Sequence, residues 1–150
     1  MVDKKKKVVL IEDNPDDIEL TKRAFKKNNI SEYLVVFNDG IEALEYLFKE
    51  GKDSDSDNLP TLILLDLKLS KLNGLEILKK IRDNPETKFI PVVMLTTSDE
   101  EEDIISSYEL GANSYIRKPV NFKQFNETIN QLGLYWLLLN KPAPNNKRNK

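Results

Sequence analysis

The 150-residue chain has no cysteine and no histidine, and these two absences exclude whole classes of chemistry. Without cysteine there is no disulfide, no thiol nucleophile and no thiolate metal site. Without histidine there is no imidazole general base, no imidazole ligand for zinc and no phosphohistidine on this chain. If phosphohistidine chemistry is involved, another protein supplies it. Long apolar runs are missing too: no stretch reaches the roughly 20 residues that a membrane-spanning helix needs. The basic run Lys4 to Lys7 is followed by only Val8 to Ile11 before Glu12-Asp13, too short for the apolar region of a signal peptide. A soluble cytoplasmic protein is expected. Net charge of one sign is also lacking, with 23 basic against 25 acidic residues, so bulk electrostatics favour neither nucleic acid nor a membrane surface.

What is present has the size of one domain. Short apolar runs, VVLI (8 to 11), YLVVF (33 to 37), LILL (62 to 65), IPVVML (90 to 95) and SYI (114 to 116), alternate with longer stretches whose apolar residues recur three and four apart. Several runs are too uniformly apolar to be half-solvated and read as strands of a parallel sheet covered on both faces. The intervening helices are expected to begin near Pro15, Gly40, Gly74, Asp99 and Asn121. Pro15 suits a first helical position, with Asp13 or Asn14 as cap. Five strand-then-helix units predict an open α/β sheet with right-handed crossovers, whose sites lie at the carboxyl ends of strands where strand order reverses. Residues 1–140 are expected to form one domain with an extended last helix, and 141–150 a disordered basic tail. In the polar loop Gly51 to Asn58, Asp53, Asp55 and Asp57 imitate the start of a calcium-binding loop. Position six is Asn58 rather than Gly and position twelve is Leu64 rather than Glu, so a solvated loop is the better reading.

Glu12 and Asp13 close the first run and Asp66 closes the third. Singly, they read as surface charge, helix cap and turn residue. If the two strands are neighbours, three carboxylates converge, and crowded like charges raise one another's pKa unless a cation binds among them. Hard oxygens without His or Cys select Mg²⁺ or a similar ion. Thr96 closes the fourth strand and Lys118 follows the fifth; a hydroxyl and an ammonium beside a metal-bound carboxylate form a receptacle for a phosphoryl group. Pro119 can reverse the chain, through a turn or a cis bond, and aim Lys118 inward.

The motifs VVLIEDN, LILLDLKLSKLNGLEIL, IPVVMLTTS and LGANSYIRKP, in this order and spacing, resemble the response-regulator receiver family of two-component signalling over roughly Lys7 to Leu132. The segments SSYELGANSYIRKPVNF and LYW are similar to the small stand-alone receivers that serve bacterial phytochromes and related sensor kinases. The resemblance implies a flavodoxin-like (βα)5 doubly wound parallel sheet of strand order 2-1-3-4-5. It implies Asp66 as phospho-acceptor, with Asp13 binding Mg²⁺ directly, Glu12 assisting and the backbone carbonyl of Lys68 completing the protein's metal contacts. Lys118 would pair with the phosphoryl group, Thr96 would hydrogen-bond to it, and Tyr115 would turn inward as the threonine moves. Lys68, Thr97 and Ser98 would border the acyl phosphate and tune its lifetime; Thr97 departs from the small residue common there. The implied donor is a sensor histidine kinase, and the output runs through protein contacts, with no DNA-binding module expected after the fifth helix.

Phe122, Phe125, Ile129, Leu132, Trp136 and Leu139 fall on one helical stripe. One stripe cannot also bury Leu134, Tyr135, Leu137 and Leu138, and an apolar surface of that size usually marks an interface. The last helix is therefore expected to help form a homodimer or to dock a partner, and the resemblance implies a homodimer face made of the fourth helix, fifth strand and fifth helix. Two rivals fare worse. An aspartate-nucleophile phosphohydrolase needs a second acid two residues after the nucleophile, where this chain has Lys68. A nucleotide or flavin protein needs glycine in the turn after the first strand, which here reads EDNPDD.

Overall fold

The computed structural model describes residues 6–52 and 59–144; the Asp53 to Asp57 part of the polar loop and most of the basic tail lie outside the described residues. In chain order the elements are β1 (Val8–Ile11), α1 (Pro15–Lys27), a 3₁₀ turn (Ser31–Tyr33), β2 (Leu34–Phe37), α2 (Gly40–Lys52) and β3 (Leu62–Leu65). There follow α3 (Gly74–Asp83), β4 (Val92–Thr96), α4 (Glu101–Glu109), β5 (Ser114–Arg117), α5 (Phe122–Gly133) and a π-helical segment (Leu134–Leu139). The strands form one sheet in the order β2-β1-β3-β4-β5, every neighbouring pair parallel.

The apolar runs explain this order. β1, β3 and β4 are buried at every position, while β2 and β5 are only half-buried and lie at the edges. Because side chains alternate across a strand, each central strand feeds two cores. Val9, Ile11, Ile63, Leu65, Val92 and Met94 pack against Leu44 and Leu47 of α2 and Ile77 and Ile81 of α3. Val8, Leu10, Leu62, Leu64, Val93 and Leu95 face Phe25 of α1 and Phe125 and Ile129 of α5. Helix starts follow from side-chain caps: Asn14, Asn73 and Asn121 each accept from an amide in the following turn. Among the described residues no helix is long and apolar enough to cross a membrane.

α4 starts at Glu101, near the expected Asp99, whose carboxylate pairs with Arg117 at 3.1 Å. Two expectations are corrected. β4 begins at Val92 because Pro91 has no N–H to give the ladder, although its carbonyl accepts from Ile63. The last helix does not keep one α-helical stripe. It widens into π winding after Gly133, so Leu137 is buried and Leu139 is 71% exposed. Lys6 donates to the Leu137 carbonyl at 2.5 Å, joining the approach to β1 to this segment.

At the edge of the sheet carrying the amino ends of β4 and β5, one side chain gathers three segments. Arg82, in the last turn of α3, donates to the carbonyls of Lys88, Ile90 and Gly111 and to Oδ1 of Asn113. At the opposite edge Gly74 opens α3 with its amide bonded to the Leu67 carbonyl at 2.8 Å. A Cβ there would stand 2.3 Å from the carbonyl oxygen of Asp66 and 2.8 Å from Cα of Leu67. Both are backbone atoms and cannot step aside. Gly74→Ala is therefore expected to cost about 1–3 kcal/mol of stability, the usual range for overpacking. Urea unfolding would show it as a lower midpoint at unchanged slope; a wild-type midpoint would mean that the β3–α3 turn is not held this tightly.

Candidate functional site

The strand ladder continues one residue beyond β1, β3 and β5. Glu12 N donates to Phe37 O at 3.0 Å, Asp66 N to Ile11 O at 3.1 Å, and Lys118 N to Thr96 O at 2.7 Å. Glu12, Asp66, Thr96 and Lys118 thus stand side by side along the carboxyl edge of the sheet, and all four are buried. Strand order reverses between β1 and β3, the two strands that end in Glu12 and Asp66. In open α/β sheets that crevice is where ligands bind.

Lys118 organises the group. Its Nζ contacts Oε1 of Glu12, donates to Oδ2 of Asp17 at 2.9 Å and lies 3.8 Å from Oδ2 of Asp66. Burial works against the ammonium, but its hydrogen bonds to Asp17 and Glu12, with the charges of Asp66 and Glu12, carry its pKa above the ordinary value. Burial pushes the Glu12 carboxyl up to about 7; Lys118 opposes this and the nearby Asp66 reinforces it. The lysine is aimed by the strand. Arg117 points to solvent and Lys118, the next residue, points in, with no cis peptide bond among the described residues. The expected role for a cis Pro119 is therefore replaced by strand alternation.

The Asp13 carboxylate accepts from the Ser70 amide in the β3–α3 loop at 2.8 Å through Oδ2. Among the described residues no three acidic side chains gather closely enough to grip an ion as they stand. Beside Asp13 opens a cavity of about 210 Å³, lined also by Asn38, Asp39, Gly40, Ser70 and Lys71. Lys71 pairs with Asp39 at 3.1 Å across it.

On the other side, Thr96 is fully buried and its Oγ1 accepts from Ser98 N at 3.4 Å. Ser98 Oγ donates to Asp103 at 2.6 Å, and Tyr115 donates its hydroxyl to the Ser98 carbonyl at 2.9 Å. Tyr115 and Thr96 are therefore joined through Ser98. Thr97 and Lys68 are exposed at the rim. One residue was overlooked: Asp17, one helical turn beyond Asp13, touches Lys118. The second acidic pair in EDNPDD was the signal, since it falls in the first turn of the helix that leaves the carboxyl end of the first strand.

An acidic crevice holding a buried lysine, at the carboxyl edge of a (βα)5 sheet of order 2-1-3-4-5, defines a receiver domain. The profile of the response regulator receiver domain matches residues 8–130, and the chain belongs to that family, the response regulators of two-component signalling. It is 40% identical over 132 residues to the response regulator Rcp1 of Synechocystis sp. (strain ATCC 27184 / PCC 6803 / Kazusa), covering 88% of this chain and 89% of that protein. The crystal structure of the phosphorylated cyanobacterial phytochrome response regulator RcpA superposes with a TM-score of 0.82 at 40% identity, over 93% of this chain and 99% of that one. The Mn²⁺-bound form of Rcp1 superposes at 0.79 with 36% identity and the same coverage.

The raised Glu12 pKa has a consequence for stability. From its ordinary 4.5 up to about 7, the folded protein binds this proton more tightly than the unfolded chain does. Stability supplied by that proton is full below the lower value and is lost as pH rises through the window. Glu12→Gln removes this contribution, so its denaturation midpoint should vary less with pH across the window; an unchanged slope would show that Glu12 does not titrate there.

Proposed function

We propose that this chain is a single-domain, cytoplasmic response regulator that accepts a phosphoryl group from a sensor histidine kinase onto Asp66. The observation that carries the proposal is the buried Lys118 ammonium 3.8 Å from the buried Asp66 carboxylate, with Thr96 at the end of the strand between. An oxygen of Asp66 attacks the phosphorus of the kinase's phosphohistidine. The O–P bond forms as the P–N bond breaks, the electron pair stays with the imidazole, and the product is an acyl phosphate. Lys118 offsets charge on the transferring group and Thr96 donates a hydrogen bond to it.

The donor set suits a hard divalent ion: Glu12, Asp13 and Asp66 offer carboxylate oxygens, and the cavity beside Asp13 gives access. Asp13 and Asp66, with the backbone carbonyl of Lys68, would hold Mg²⁺ and Glu12 would assist; Asp13 accepts from the Ser70 amide through Oδ2 and has Oδ1 to offer the ion. When bound, the ion neutralises charge on the phosphoryl oxygens. The Mn²⁺-bound relative supports this reading.

The new charge on Asp66 draws Thr96 inward and Tyr115 follows, since both meet at Ser98. The face of α4, β5 and α5 then changes its preferred partner by a shift of population. Lys68, Thr97 and Ser98 border the phosphoryl group and set its lifetime. The chain is a switch rather than an enzyme, with at most slow phosphorylation from small donors and slow self-dephosphorylation. The phytochrome-linked relative makes a phytochrome-like sensor kinase the leading donor. Leu134, Tyr135, Leu138 and Leu139 are exposed together on the last helix and support a homodimer or partner dock there.

Intact-mass spectrometry after incubation with acetyl phosphate and Mg²⁺ tests the acceptor. Wild type should gain one phosphoryl group and Asp66→Asn none; undiminished uptake by the variant would refute the assignment. For the dimer, sedimentation of wild type against Leu138→Glu, before and after phosphorylation, should show self-association only in wild type. A monomer in every state, with no partner contact at Trp136, removes that part of the proposal.

A further inference from the structure

The receiver chemistry asks one N–H of Lys118 to serve the phosphoryl group, yet in this structure the ammonium is engaged elsewhere. Lys118 Nζ contacts Glu12 and Asp17, and Asp66 is the most distant of its three carboxylates at 3.8 Å. Glu12 and Asp17 take two of the ammonium's three N–H donors and hold it beyond hydrogen-bond distance of Asp66. The three acids differ in what releasing the lysine would cost them. The side chains of Glu12 and Asp66 are 2% and 10% exposed, so either would be stranded away from water. Asp17 is 26% exposed. It also sits in the first turn of α1, where the positive end of the helix supports a carboxylate. Of the three partners, Asp17 alone can return to solvent cheaply.

We infer that Asp17 is a releasable counter-ion that positions Lys118: it holds the ammonium toward α1 in the resting protein and yields it when Asp66 takes a phosphoryl group. Asp17 is thus a positioning residue, acting on the reacting atoms only through Lys118. The inference rests on the phospho-acceptor reading of Asp66. In the reaction that tests it, an Asp66 oxygen bonds to the phosphorus of acetyl phosphate as the bond to the acetate oxygen breaks, and acetate leaves with the electron pair.

The test compares initial rates of phosphoryl uptake from acetyl phosphate with Mg²⁺, by intact mass, for wild type, Asp17→Asn and Asp16→Asn. Asp16 is exposed in the same turn and its substitution makes the same change of charge. Asp17→Asn should accelerate uptake about three- to tenfold, the scale of a part-exposed charged hydrogen bond, and Asp16→Asn should leave it near wild type. A merely structural role for Asp17 predicts slower uptake, not faster. Side-chain NMR of the wild type gives an independent readout. A scalar coupling across the hydrogen bond, from Lys118 Nζ to the Asp17 carboxyl carbon, should be present at rest and lost on phosphorylation. Equal or slower uptake in Asp17→Asn, an equal gain in Asp16→Asn, or a coupling that survives phosphorylation overturns the inference while leaving the acceptor reading intact. No uptake by the wild type removes both.

Discussion

The site depends on a single buried cation. Among the described residues Lys118 is the one ammonium set among Glu12, Asp17 and Asp66; these acids follow β1, lie in α1 and follow β3, while the lysine follows β5. Such a cluster adds little net stability, because desolvation opposes attraction, but taking away one partner leaves the rest uncompensated. The arrangement therefore works as a specification. Apolar cores on the two faces of the sheet would tolerate many placements of β5; a lysine that must reach the end of β1 past β3 and β4 tolerates few.

Strand register turns this demand into geometry. Ile11 pairs with both Phe37 and Leu65, Leu65 with Met94, and Thr96 with Arg117. By this register Glu12 and Asp66 lie level with Leu95 and Ile116, and Thr96 stands one residue and Lys118 two residues further along the carboxyl edge. The same parallel pairing that buries VVLI and LILL on both faces also delivers an acid, an acid and a lysine to a common edge. Packing and chemistry share one set of hydrogen bonds, so a slip in register would damage both.

Much of this was legible from the chain alone, for identifiable reasons. VVLI and LILL read as central strands because nothing in them can face water, and Pro15 with Asn14 marks the start of α1 because their backbone chemistry suits few other places. Glu12, Asp66, Thr96 and Lys118 were found because each stands just beyond the carboxyl end of an apolar run. The misses are of another kind. Leu137 and Leu139 were exchanged because 3.6-residue periodicity does not foresee π winding. The contact of Asp17 with Lys118 was missed because side-chain direction depends on partners from distant segments, which spacing does not encode.

The clasp made by Arg82 bears on how α4 can move. At its carboxyl end the chain leaving α4 is gripped at Gly111 and Asn113 by the same guanidinium that holds Lys88 and Ile90. At its amino end the restraints are one exposed ion pair, Arg117 with Asp99, and the hydrogen bonds that converge on Ser98. A rod pinned firmly at one end and lightly at the other pivots before it slides. Small displacements beside Thr96 then become tilts of the whole helix, with the pivot at Gly111 staying still.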